Sequence, residues 1–170
     1  MKIIFKLFLL TLIFNYNLVL AQESRILNSD IASGVIYEAN IRQYSKEGTF
    51  NAFTRDIPVL RDLGIKFIWL MPVNPISTTK SKGPLGSYYA VSDYEKVNPE
   101  FGTEEDFRDL VEKAHDLGIY IILDWVPGHT GWDHIWIKEH PEFYLKNDKG
   151  EITDPINHQT GKSWGWTDVA

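Results

Sequence analysis

An aspartate closing an apolar run, with a histidine five residues further on, is the pairing in this sequence whose chemistry is simplest to state. Residues 119–123 read Ile-Tyr-Ile-Ile-Leu, and Asp124-Trp125-Val126-Pro127-Gly128-His129-Thr130 follow directly. A carboxylate at such a place accepts hydrogen bonds, and an imidazole near it can donate, accept or pass on a proton. Position alone leaves two readings open. Either both residues serve a site at the tip of a strand, or Asp124 receives loop amides while His129 lies on the surface. Tyr89, taken alone beside Tyr88, reads as ordinary aromatic packing. Asp133, His134 and His140 bring metal ligation to mind, but their irregular spacing lacks a helix-face pair such as His-Glu-x-x-His. Asp133, Asp154 and Asp168 read as turn or helix-cap carboxylates. The absence of cysteine excludes disulfides, thiolate metal sites and a cysteine nucleophile.

The elements that must position these residues follow a repeating grammar. Residues 35–42 are β-branched and aromatic enough for a strand. Thr49 then serves as the N-cap of a helix whose apolar face is Phe50, Phe53, Ile57 and Leu60. Pro58 inside that pattern predicts a kink or an early stop. Gly64 ends the helix, and residues 67–70 read as a buried strand. The pattern then recurs. Thr103 with Asp106 resembles a capping box; Phe107, Leu110, Val111, Ala114 and Leu117 make the apolar face; Gly118 ends it, and an apolar strand over 119–123 follows. Both helices pass to their strands through Asp-Leu-Gly-Ile, at 62–65 and 116–119. This is a βα repeat, predicting parallel strands with helical crossovers.

A barrel and a doubly wound sheet both fit such a repeat. The connections after the second and third strands are long, whereas the helix-to-strand turns are very short, which suits a barrel that builds its site from the loops at the strands' carboxyl ends. After the first strand stands Gln43-Tyr44-Ser45-Lys46-Glu47-Gly48, with a single glycine and no Gly-x-Gly-x-x-Gly or phosphate loop. The pattern therefore favours the barrel.

The 170 residues suffice for a small core but fall short of the roughly 250 a closed eight-stranded α/β barrel takes. The net charge of -6 is interspersed with no basic stripe, which argues against nucleic acid as a partner. At the amino terminus Lys2 and Lys6 flank or interrupt an apolar run over 3–21, broken by Asn15, Tyr16 and Asn17. Val19-Leu20-Ala21 places small or β-branched residues where a signal peptidase reads, and Gln22 and Glu23 follow. Residues 1–21 thus read as a removable signal peptide, with a mature chain from about Gln22. The competing reading is an uncleaved anchor, since the run is nearly long enough to span a bilayer. The two asparagines, the lysine and the cleavage-like ending favour the signal. The expected product is exported, periplasmic or extracellular, and not inserted in a membrane after cleavage.

The segment 124–130 resembles the first signature region of the α-amylase family of glycoside hydrolases, in which Asp-x-Val-x-Asn-His follows the third barrel strand. Tyr89-Ala90-Val91-Ser92-Asp93-Tyr94 resembles that family's tyrosine segment after the second strand, and Asn98-Pro99-Glu100-Phe101-Gly102-Thr103 is equally similar. The likeness runs from Val35 to Ala170, with the motifs in the expected order. It implies a (β/α)₈ TIM barrel, of which 22–130 would be the N-terminal part with the first three βα units. Residues 131–170 would start a small domain inserted after strand 3.

The resemblance carries roles to three positions. Tyr89 matches the tyrosine stacking on the sugar at the bond-cleaving subsite, His129 the histidine hydrogen-bonding the same sugar, and Asp124 the aspartate holding the site's architecture. The family's catalytic nucleophile, in an Arg-x-Asp context, and its acid/base carboxylate are expected beyond Ala170, since no Arg-x-Asp occurs in this sequence. Gly128 stands where the family commonly has an asparagine that supplies an oxygen to structural calcium, so no metal or other cofactor is expected. Five tryptophans, at 125, 132, 136, 164 and 166, suit both a sugar cleft and the core of a small inserted domain. The implied activity is retaining hydrolysis of α-1,4-glucosidic bonds in starch-like glucans or maltooligosaccharides. The alternatives are a transglycosylase or isomerase of the same family, or a non-catalytic carbohydrate-binding barrel.

Overall fold

Residues 28–170 are described by a computed structural model; the expected signal peptide at residues 1–21 lies outside the described residues. The chain divides into two units, Met1–Gly34 and Val35–Ala170. In the described part of the first, α1 (Asn28–Ser33) closes with the Gly34 amide on the Asp30 carbonyl at 2.8 Å. Periodicity had not marked this short helix.

In the second unit the βα repeat forms as its caps and periods dictate. β1 (Val35–Ala39), β2 (Ile65–Leu70) and β3 (Tyr120–Leu123) make a parallel sheet in the order β1-β2-β3. Helix α3 (Phe50–Asp62) starts under the Thr49 side chain, which accepts from the Ala52 amide. Helix α4 (Glu104–Asp116) starts with a complete Thr103–Asp106 capping box. Gly64 and Gly118 follow the helices with φ of 85° and 72°, a left-handed backbone that lets each helix turn straight into its strand.

Two expectations about boundaries are corrected. The first strand stops at Ala39, not Arg42, because the Asn40 side chain accepts from the Gln43 amide and caps a short helix, α2 (Ile41–Tyr44). Pro58 does not end α3, which runs on to Asp62. An interior proline costs a helix about 3 kcal/mol, but Ile57 and Leu60 on either side of it are sunk in the core at 0% and 5% exposure and hold the helical path.

Helices α3 and α4 pack on each other and on one face of the sheet, around Phe50, Phe53, Ile57, Leu110, Ala114, Ile68 and Leu70. The opposite face carries Ile36, Trp69 and Ile122, all exposed. Helices on a single face are what a barrel wall requires; a doubly wound sheet is covered on both. Residues 67–70 were expected as a buried strand and 119–123 as a continuous apolar one. Trp69, Ile122 and Leu123 are instead open to solvent here, because they lie on the bare face or at the sheet's outer edge.

The loops leave from the carboxyl ends of the strands. The Met71 amide bonds the Ala39 carbonyl at 3.0 Å and the Asp124 amide bonds Leu70 at 2.9 Å, extending the ladder to the first loop residue. The loop over 71–103 folds back on itself: Ser77 donates to Ala90 at 2.7 Å and Ser92 to Pro75 at 2.9 Å. Its return is anchored by Phe101, buried against Phe50, whose amide bonds the Phe101 carbonyl at 2.8 Å. The second long connection joins the first through Gly131, whose amide donates to Val91 at 2.7 Å. A side chain at Gly131 would collide with Ser77, so this close approach needs glycine.

Candidate functional site

Tyr89, Asp124 and His129 come together at the carboxyl ends of the strands although 40 residues separate the first from the last. The Tyr89 hydroxyl donates to Asp124 Oδ2 at 2.9 Å. Burial, then that bond, then the negative charges of Asp124 and Glu38 push the Tyr89 phenol above its ordinary pKa. The phenol therefore stays protonated, and its donor stays on Asp124. His129 Nε2 lies 3.0 Å from the Tyr89 carbonyl oxygen. A carbonyl can only accept, so Nε2 carries the proton and a neutral ring presents Nδ1 as an acceptor. The donor that sequence reasoning reserved for a sugar hydroxyl is thus engaged with the main chain in this state.

The turn that carries His129 is held by Tyr94. Its hydroxyl shares one proton between the carbonyls of Val126, at 2.9 Å, and His129, at 2.7 Å. Burial raises the Tyr94 phenol to about 12, which keeps that proton in place. Tyr94 was legible as part of a motif, but its role was not. Arg42 was missed altogether. It pairs with Glu100 at 2.7 Å and lies over the Tyr88 ring at 4.8 Å, tying α2 to the middle and the returning end of the tyrosine-bearing loop. Tyr88 itself packs against the core, so of the adjacent tyrosines it is Tyr88 that fills the ordinary packing role.

Tyr89 and His129 line a cleft of about 440 Å³ with Lys82, Gly86, Ser87, Trp166, Asp168 and Val169. His129 also borders a second hollow, of about 260 Å³, lined by Trp136, Phe143, Tyr144 and Leu145 among others. The remaining carboxylates have structural partners. Asp133 accepts from the Thr78 amide at 2.9 Å and the Thr79 amide at 3.2 Å. Burial works against its ionisation, but hydrogen bonds from Ser77, Thr78 and Thr79 hold its pKa below the usual range. Asp154 accepts from the Ser163 hydroxyl. Asp168 lies in the turn over 166–169 and also forms an ion pair with Lys82 at 2.9 Å, an 86-residue separation that no local pattern signals.

His134 is buried, and its Nδ1 accepts from the Trp136 amide at 3.2 Å. His140 Nδ1 lies 3.1 Å from Glu142. Among the described residues no three His, Cys, Asp or Glu side chains converge to hold a metal. At Gly128 there is open space where a side chain would stand, so residue type and not crowding removes the oxygen that a family calcium would use. Glycine offers no side-chain oxygen at this position.

Aromatic and imidazole groups lining one cleft, with a carboxylate fixed to the tyrosine, can bind and orient a polyhydroxylated ring. Of the carboxylates near the cleft, Asp124 accepts the hydrogen bond of the Tyr89 hydroxyl and Asp168 is paired with Lys82. The family model described as the alpha amylase catalytic domain matches residues 25–168. The chain belongs to the α-amylase family. Among its relatives, the Alpha-amylase SusG of Bacteroides thetaiotaomicron is 44% identical over 92 residues, covering 54% of this chain and 12% of that protein. Maltase A1 of Drosophila melanogaster is 30% identical over 153 residues, covering 79% and 25%. The crystal structure of an alpha-amylase from Lactobacillus plantarum superposes with a TM-score of 0.74 at 40% identity, covering 80% of this chain and 31% of that one. The chain thus spans less than a third of each relative's length, and the three-stranded sheet with its outer helices is part of the (β/α)₈ barrel of the α-amylase family.

Proposed function

We propose that the protein hydrolyses α-1,4-glucosidic bonds in starch-like glucans or maltooligosaccharides with retention of configuration. The observation that carries this reading is the shared cleft. Tyr89, fixed to Asp124, and His129, fixed to the Tyr89 carbonyl, line one hollow where a barrel enzyme of this family binds sugar. In this reading the ring of Tyr89 packs on the apolar C–H face of a glucose unit. His129 meets a hydroxyl of the same sugar, and Asp124 holds the tyrosine rather than attacking. The sugar flattens and gains positive charge as its bond breaks, so contacts that hold it in that shape act more on the transition state than on the ground state. The nucleophile and the acid/base carboxylate, about 5–5.5 Å apart in a retaining enzyme, lie outside these 170 residues. The same reading has residues 131–170 opening an inserted domain and the protein exported after cleavage near Gln22.

The test uses the complete protein with soluble starch and maltoheptaose. Reducing ends should appear, with the α-anomer forming first in the proton NMR spectrum. Products longer than the substrate, without net gain of reducing ends, would mark a transglycosylase instead. Neither reaction, with glucan binding retained, would mark a non-catalytic binding barrel.

A further inference from the structure

The cleft holds an aromatic side chain to which the reading above gives no task. Trp166 lines it with Tyr89 and His129, its ring centroid 6.0 Å from the imidazole. Trp164 stacks on it, with centroids 5.8 Å apart and planes within 20° of each other. Both rings are about half exposed, at 48% for Trp166 and 53% for Trp164. One exposed tryptophan needs no explanation. Two stacked ones, one of them lining a cleft, form an aromatic ribbon whose outer face is open.

The backbone beneath the ribbon is fixed on both sides of Trp166. Lys82 Nζ donates to the Gly165 carbonyl at 3.0 Å and pairs with Asp168 at 2.9 Å. Trp132 Nε1 donates to the Thr167 carbonyl at 2.9 Å. Thr130 and Ala170 exchange two backbone hydrogen bonds, at 3.2 and 2.9 Å, tying the end of the segment to the residue after His129. Rings whose main chain is already ordered lose little further freedom when a ligand arrives, which favours a binding surface over a loose flap. Asp168 neutralises the ammonium of Lys82, so the cleft offers no unpaired cation on this side and suits an uncharged sugar rather than a phosphorylated one.

We infer that Trp166, backed by Trp164 and positioned by Lys82, is a second sugar platform that carries the glucose unit next to the one on Tyr89, so that the site recognises at least two consecutive sugars. This rests on the α-glucan reading of the site. Trp166 supplies the apolar face, and Lys82 acts through the Gly165 carbonyl and Asp168 without touching substrate.

The experiment compares steady-state kinetics of the complete protein on maltoheptaose and on α-glucosyl fluoride, whose one sugar occupies only the Tyr89 position and which carries no second ring. Trp166→Ala should raise KM for maltoheptaose about tenfold and raise KM for α-glucosyl fluoride far less. Trp166→Phe should recover most of the loss. Trp166→Leu, which keeps apolar bulk but not a flat face, should not recover it, and an unchanged Tm there separates binding from folding. Lys82→Met should raise the maltoheptaose KM less than Trp166→Ala, and Lys82→Arg should restore it. The inference is overturned if Trp166→Ala and Trp166→Leu keep a wild-type KM for maltoheptaose while Tyr89→Ala raises it, a result that leaves the α-glucan reading standing. A wild-type protein that neither binds nor turns over any α-glucan overturns both.

Discussion

Replacing Tyr89 by phenylalanine separates what the ring does from what the hydroxyl does. If Tyr89 acted only as a flat face, Tyr89→Phe would behave nearly as wild type. The 2.9 Å bond to Asp124 says otherwise, because it fixes the ring's orientation and satisfies a carboxylate at the tip of β3. A hydrogen bond to an ionised acceptor contributes about 1.5–3 kcal/mol. Tyr89 and Asp124 are both partly exposed, and solvent screening reduces the bond's worth to about 1–1.5 kcal/mol, or roughly five- to tenfold in kcat/KM. Asp124→Asn should cost no more than Tyr89→Phe, since the amide oxygen still accepts from the tyrosine hydroxyl, though more weakly than a carboxylate. The two residues act as one unit, so the double variant should be no worse than the worse single. The assay is kcat/KM on maltoheptaose for the four corners of the cycle in the complete protein. The reasoning is refuted if Tyr89→Phe stays within twofold of wild type, or if the two losses multiply.

Tyr94→Phe should lower kcat/KM by about tenfold although Tyr94 is given no sugar contact, because its shared proton positions the His129 turn; a near-wild-type value would show that the turn holds itself. Burial, opposed by the charges of Asp93 and Asp133, lowers the pKa of His134 below the usual 6.5, so the fold holds it neutral. Its contribution to stability is complete above about pH 6.5 and is lost as pH falls toward the depressed folded value, so Tm should decline below pH 6.5. His134→Gln should flatten that decline, and an identical acid limb in the variant would contradict it. Excess EDTA should leave the Tm of the complete protein unchanged, because Gly128 offers no side-chain oxygen; a sharp fall reversed by added calcium would show ligands elsewhere.

The framework of these expectations was readable because its signals are local. Thr49, Gly64, the Thr103–Asp106 box and Gly118 announce helix ends through residues no more than four positions apart, and the apolar periods between them fix which face packs. Asn40 is equally local, but it follows a β-branched strand without a break in pattern, and its cap was read as strand. The site was legible only as residue types at strand ends. What organises it spans long separations: His129 to the Tyr89 carbonyl, Tyr94 to the turn at 126–129, Asp133 to the Thr78 and Thr79 amides, Lys82 to Asp168. Such contacts arise when two long loops fold against each other, and neither loop carries a periodicity that encodes its partner. Pro58 shows the same limit from the other side, since burial of its neighbours overrides a strong local rule.

The central claim is that Tyr89 and His129 hold the sugar whose bond is broken. It is tested most directly by kcat and KM of wild type, Tyr89→Ala and His129→Ala on maltoheptaose, measured in the complete protein. His129→Ala should lower kcat by about 10- to 1000-fold with a smaller change in KM, since its help is concentrated in the transition state. Tyr89→Ala should lower kcat/KM and raise KM as well, because stacking holds substrate and transition state alike. Wild-type kcat/KM in both variants would contradict the account of the site, while leaving the barrel itself in place.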